Sequence, residues 1–121
     1  MPHHYLLAMT NALPGQDVEF NRWYDERHLS DVMNVPGVVR ALRLQAIDGL
    51  RGPLSWNYVT LYELDTEDPA GLLQELSRRA GTDLMPLTSA MDLGTAGAAI
   101  LQAIGGVHPK PEHTAEQENH P

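Results

Sequence analysis

The sequence predicts an α+β fold in the order strand, helix, strand, strand, helix, strand, and three observations carry that prediction. Trp56, Tyr58, Thr60, Tyr62 and Leu64 alternate with Asn57, Val59, Leu61 and Glu63, the period of two expected of a strand. Asp65-Thr66-Glu67-Asp68-Pro69 then opens a helix, with Asp68 as N-cap and Pro69 at the first helical position. A short apolar run near the start of the chain gives way to an aromatic-rich segment with helical spacing, Phe20 to His28.

Taken in order, Tyr5–Ala12 is apolar, short and bounded by Leu13-Pro14-Gly15, which suits a largely buried strand. Asp17 and Glu19 place negative charge where a following helix favours it, at its N-terminus. That helix is expected from about Asp17 to about Arg27 or Leu29. At about 100° per residue, Phe20, Tyr24, Arg27 and Asp31 share one sector, and Asn21, Tyr24, Asp25 and His28 form an adjoining polar stripe. Leu29 leaves the Phe20/Tyr24 face, so a bend or restart is expected near Ser30, with Ser30 capping a short second turn. Pro36 disfavours helix at Val35, and Gly37 permits a tight turn.

Val38–Ile47 reads as a strand whose two faces are both partly covered. Asp48-Gly49-Leu50-Arg51-Gly52-Pro53 is turn chemistry, so Val38–Ile47 and Trp56–Leu64 form an antiparallel hairpin. The second helix presents Leu72, Leu73, Leu76 and Ala80 and stops at Gly81. Asp83–Asp92 is broken by Pro86, with room for a short turn near Leu87–Met91. Ala98–Ile104 is the last strand. From Gly106 onward, Pro, His, Glu, Gln, Asn and Thr dominate, so 106–121 is expected to be a disordered tail on a single domain, 1–105.

Composition bounds the partners. The 121 residues suffice for one core. A net charge of -8 with a single Lys, Lys110, disfavours nucleic acid and anionic membranes as partners. The absence of Cys excludes disulfides, thiolate metal sites and a Cys nucleophile. No run approaches the roughly 18 apolar residues of a membrane span, and Met1-Pro2-His3-His4-Tyr5 lacks the look of a signal peptide. A cytoplasmic location is expected. No phosphate-binding loop or nucleophile elbow occurs, and His3-His4 lacks a third ligand, so no metal site is expected.

The element order is the split βαβ arrangement of ferredoxin-like folds: a four-stranded antiparallel sheet with two helices on one face. The other sheet face would stay bare, and a second copy closing two sheets into a barrel is the simplest cover.

The run Phe20-Asn21-Arg22-Trp23-Tyr24-Asp25-Glu26-Arg27-His28, followed by Asp31-Val32, Val35-Pro36-Gly37-Val38 and Arg43, resembles the dimeric α+β barrel superfamily, and within it the EthD-like branch. Tyr58-Val59-Thr60-Leu61-Tyr62-Glu63 is similar to the aromatic third strand of such proteins. The resemblance covers roughly residues 5 to 104 and implies a homodimer. It also implies a pocket between sheet and helices where a His, often with Tyr or Asp, moves a proton on a small organic molecule. His28, Tyr24 and Asp25 match that pattern.

On that reading His28 is the general acid or base, Asp25 orients its ring, and Tyr24 donates to an oxygen that gains charge, with Asn21 as a second donor. The plainer alternative makes His28 a helix-terminal cation with Asp25 as a surface partner. Phe20, Trp23, Tyr58 and Tyr62 are pocket lining or, alternatively, core and interface. Arg43 anchors a substrate anion or pairs with Asp25, Asp31 or Glu63. The expected function is a small cofactor-independent enzyme of isomerase, cyclase or lyase type, acting on a hydrophobic carbonyl or phenolic compound. The alternatives are a non-catalytic binder of such a compound and a monooxygenase or haem-type member of the superfamily.

Overall fold

A computed structural model describes residues 4–112. Strands β1 (His4–Thr10), β2 (Val38–Gln45), β3 (Tyr58–Leu64) and β4 (Gly97–Gln102) form one antiparallel sheet in the order β2-β3-β1-β4. Helical residues α1 (Asp17–Trp23) and α2 (Leu29–Met33) lie between β1 and β2, and α3 (Pro69–Arg79) between β3 and β4. This is the expected α+β, ferredoxin-like arrangement. No helix among the described residues is long and apolar enough to cross a membrane.

Register decides what faces the helices. Ala41, Tyr62, Leu6 and Ile100 lie in one cross-strand row, and Arg43, Thr60, Ala8 and Ala98 in the next. Burial alternates cleanly along β3, where Tyr58, Thr60, Tyr62 and Leu64 are buried and Val59, Leu61 and Glu63 only partly so. The buried rows meet two apolar clusters. One joins Leu6, Tyr62 and Leu64 to Val32, Val35, Leu72 and Met85; the other joins Tyr58 to Phe20, Tyr24 and Ala90. The opposite face carries Leu42, Leu61, Leu7 and Ala99 in one row. Leu42 and Leu44 are exposed there, so a single chain leaves apolar sheet surface in water.

Two details differ from expectation. The first helix does not restart at Ser30. Backbone angles stay right-handed helical through Trp23, Tyr24, His28 and Leu29, and Tyr24–His28 form a single π-helical turn joining α1 to α2. No side chain caps α2. The wide turn takes up one extra residue, so Leu29 falls where a regular helix would put its predecessor. Leu29 therefore packs against both clusters, and Arg27, on the exposed side, donates to the buried Asp31 carboxylate and to Asp83 O, each at 2.8 Å.

Strand ends also move by one or two residues. Beyond Thr10, Ala12 bridges Met91, and the Leu13 N–H donates to Ala90 O at 2.8 Å. The stretch before β4 thus runs alongside residues 11–13, with a turn at 89–90. Asp68 caps α3 as expected, accepting from the Gly71 N–H at 3.0 Å. Gly37 has φ +99, and a Cβ there would meet Leu72 Cδ1 at 2.9 Å. Of the expected tail, residues 106–112 carry neither helix nor strand, and 113–121 lie outside the described residues.

Candidate functional site

The π-helical turn sets the site. Its first and last residues, Tyr24 and His28, both face inward: Tyr24 is buried, and the His28 ring packs edge-on against it at 4.9 Å and 82°. On its other side His28 stacks on Trp23, with centroids 4.4 Å apart and planes 21° from parallel. Trp23 is fixed in turn by its Nε1 donating to Pro86 O at 3.1 Å. A π-helical turn inside a helix often marks a functional position, and here it aims the one His remote from the chain ends between two aromatic rings.

Beside that ring is a cavity of about 380 Å³ between sheet and helices. Leu6, Ala8, Tyr62 and Ala98 form its floor; His28, Val32 and Met85 form one wall, and Leu73, Leu76, Ser77 and Ala80 of the α3 region the other. Leu73, Ser77, Ala80 and Ala98 are exposed, so the cavity opens past α3 and the β4 edge. Its polar side chains are His28, Tyr62 and Ser77, and it carries no charged side chain. That is the usual makeup of a small-molecule pocket: apolar walls with a few placed polar groups. A depression of about 400 Å³ in the β2–β3 loop, lined by Ala46–Gly49, Gly52–Leu54 and Asn57, offers only Asp48 and Asn57 as polar side chains.

Electrostatics at the cavity favour neutral groups. Burial lowers the His28 pKa from 6.5 to about 4, the nearby Asp31 carboxylate opposes this, and the Arg43 charge adds to it. His28 is therefore a neutral imidazole at physiological pH. Its Nδ1 is buried without a hydrogen-bond partner. Such an orphaned group costs about 1–3 kcal/mol and points to a role beyond packing. The Tyr24 and Tyr62 hydroxyls are 3.3 Å apart, and burial followed by the Tyr24 neighbour raises the Tyr62 pKa well above the ordinary phenol value.

The other candidate residues distribute differently. Asp25 does not reach His28. It is exposed, and its Oδ1 accepts from Arg43 Nη1 at 2.9 Å, because Arg43 on the helix-facing row of β2 reaches the helix first. Asn21 is committed to the same network: its Oδ1 accepts from Arg43 Nη2 at 2.9 Å, and its Nδ2 donates to Asp17 O and Tyr58 Oη. Tyr58 donates to the Asp17 carboxylate at 2.6 Å, which raises its pKa. Asn21, Arg43 and Tyr58 thus line a separate groove of about 160 Å³. Phe20 is fully buried core, packed on Tyr58 with centroids 5.2 Å apart. Of the nine candidates, His28 and Tyr62 line the cavity, and Tyr24 and Trp23 support them.

No protein-family model matches the chain, and no curated protein is similar to it. Solved structures do match. An EthD family protein of Bacillus halodurans superposes with a TM-score of 0.59 at 16% identity, covering 84% of this chain and 99% of its own. The chain shares the ferredoxin-like fold of that protein. The same fold is found in MhuD, a heme-degrader of Mycobacterium tuberculosis solved with two hemes bound, at TM-score 0.59 and 13% identity, covering 87% and 99%. It recurs in the monooxygenase ActVA-Orf6 of Streptomyces coelicolor, solved with nanaomycin D, at TM-score 0.53 and 15% identity, covering 90% and 94%.

The cavity residues fit haem poorly. A metal-bound His ordinarily hands its other ring N–H to an acceptor, yet Nδ1 of His28 has none. The lining also offers no cation to meet the two propionates. Among the described residues no three His, Asp or Glu side chains converge as a metal site.

Sequence reasoning missed Ser77, Met85 and Ala98. Ser77 was legible in principle, since it follows Leu73 by four residues on the same helical stripe. Met85 and Ala98 are brought in by the loop path and by β1–β4 register, which have no local signature.

Proposed function

We propose that the chain is a cofactor-independent oxygenase acting, as a homodimer, on a planar phenolic or enolisable aromatic compound held in the His28 cavity. One observation carries this reading: a neutral imidazole, its buried Nδ1 without a hydrogen-bond partner, in an apolar cavity that Tyr62 also lines. With a pKa near 4, His28 is a weak base toward water. It becomes effective only when the anion it creates stays beside it, because an ion pair formed next to a largely buried ring is less screened than one in water. A phenol or enol whose oxygen also receives a hydrogen bond from Tyr62 meets that requirement.

The co-reactant is dioxygen, a choice supported by the shared fold with a monooxygenase and a heme-degrader. His28 removes the phenolic proton, and the ring carbon para to the oxygen gives its electrons to O2, forming a C–O bond and a peroxide. That carbon then loses its hydrogen as the O–O bond breaks. One phenol and one O2 give one para-quinone and one water, and the substrate itself supplies all four electrons. The apolar walls favour a flat hydrocarbon skeleton and, lacking a charged side chain, select against carboxylated substrates. The apolar outer sheet face supports the homodimer.

The test is oxygen uptake with a panel of naphthols and anthrones whose para carbon carries a hydrogen. The expected result is uptake matched one to one by product and abolished in His28→Ala. Turnover without oxygen uptake would instead favour the isomerase, cyclase or lyase reading, which shares the deprotonation step. Thermal protection by a ligand without any turnover would favour a binder.

A further inference from the structure

Arg43 does not line the His28 cavity, yet it is held more firmly than any surface charge would need. Its side chain is only 17% exposed, Asp25 and Asn21 each accept from it at 2.9 Å, and its Cζ sits 4.2 Å from the centroid of the Tyr24 ring. The Phe20 and Tyr58 rings are farther off, at 5.9 and 5.8 Å. A cation over a phenol face draws density from the ring and makes its O–H the better donor. Tyr24 has such a cation close to its face, whereas its hydroxyl partner Tyr62 is not among the rings Arg43 covers.

Either hydroxyl of the Tyr24–Tyr62 pair can donate on geometry alone. If Tyr24 donates, the Tyr62 oxygen is occupied as an acceptor and its own proton is released for another partner. The Thr60 hydroxyl is also within reach of Tyr62, and because Tyr62 lines the cavity, a ligand oxygen bound there competes with Thr60 for that proton. Hydrogen bonds in such a chain strengthen one another.

We propose that Arg43 is a positioning residue that fixes the direction of the Tyr24–Tyr62 hydrogen bond, so that Tyr62 donates into the cavity to the oxygen anion of a phenolic ligand. This rests on the cavity reading above and adds to it the form in which the ligand is held, as phenolate. Asp25 and Asn21 are then the clamp that keeps the guanidinium over the Tyr24 ring.

The probe is 4-nitro-1-naphthol, whose phenolate absorbs in the visible, titrated by absorbance in the presence of protein. Bound to the wild-type chain it ionises at lower pH than it does free. Tyr62→Phe and Arg43→Met each raise the bound midpoint by about one pH unit, a tenfold change in the ionisation constant. Arg43→Lys, charged but not planar, recovers part of the shift. In a Tyr24→Phe background, Arg43→Met adds nothing. If Arg43 merely ties the helix to β2, its loss lowers the melting temperature in both backgrounds and leaves the midpoint unmoved. That result, with Tyr62→Phe still effective, overturns the proposal and leaves the cavity reading standing. A probe indifferent to Tyr62→Phe, or one whose spectrum the wild-type protein leaves unchanged, overturns both.

Discussion

Replacing His28 by Phe keeps a ring to stack on Trp23 and removes the one group whose ionisation the fold suppresses. Burial takes the His28 pKa from 6.5 down to about 4. Between those values the unfolded chain binds a proton that the folded chain refuses. The unfolded state therefore gains as pH falls, and stability is lost through that window rather than above it. One group contributes at most about 1.4 kcal/mol per pH unit. Going from pH 7 to pH 5, with most of the window crossed, the wild-type chain should lose ~2 kcal/mol that the variant keeps. Denaturant unfolding at both pH values and one fixed protein concentration measures this, since dimerisation would otherwise enter the comparison. Carboxylates titrate equally in the two proteins, so only the difference is read. Parallel stability losses would show that His28 is charged as easily inside the fold as outside it, and the neutral-imidazole argument would fail.

Two further outcomes bear on the scaffold. Gly37→Ala forces a side chain into a φ of +99 and against Leu72, and should cost about 1–3 kcal/mol; an unchanged unfolding midpoint would contradict the tight turn. Leu42→Arg puts a charge in the exposed apolar row of β2. Light scattering at micromolar concentration should show the wild-type chain at twice 13.4 kDa and the variant shifted toward 13.4 kDa; a wild-type monomer would remove the homodimer.

What the sequence made legible follows from what is local. The alternation in β3 and the Asp68-Pro69 start of α3 are short-range signals, and both elements form where they were expected. The π-helical turn has no such signature. It becomes visible only as a phase error, with Leu29 packed inward and Arg27 outward where a regular helix would reverse them. The same limit explains Asp25. Three residues before His28 on one helix, it was expected at the ring; the β2 register sets Arg43 in reach and captures it. The environment of His28 is likewise tertiary: its neutrality comes from burial against Trp23, Tyr24 and the cavity wall, none of which spacing reveals.

The central claim is that His28 is neutral when the cavity is empty and takes a proton from a phenol that enters it. Ring-nitrogen NMR of ¹⁵N-labelled protein at pH 5, where the free probe is still mostly protonated, reads this directly, with His28→Phe assigning the signal. His28 should show mainly neutral-imidazole shifts and move toward imidazolium when 4-nitro-1-naphthol is added. A His28 already half protonated near pH 6.5, or one indifferent to the phenol, would contradict the account.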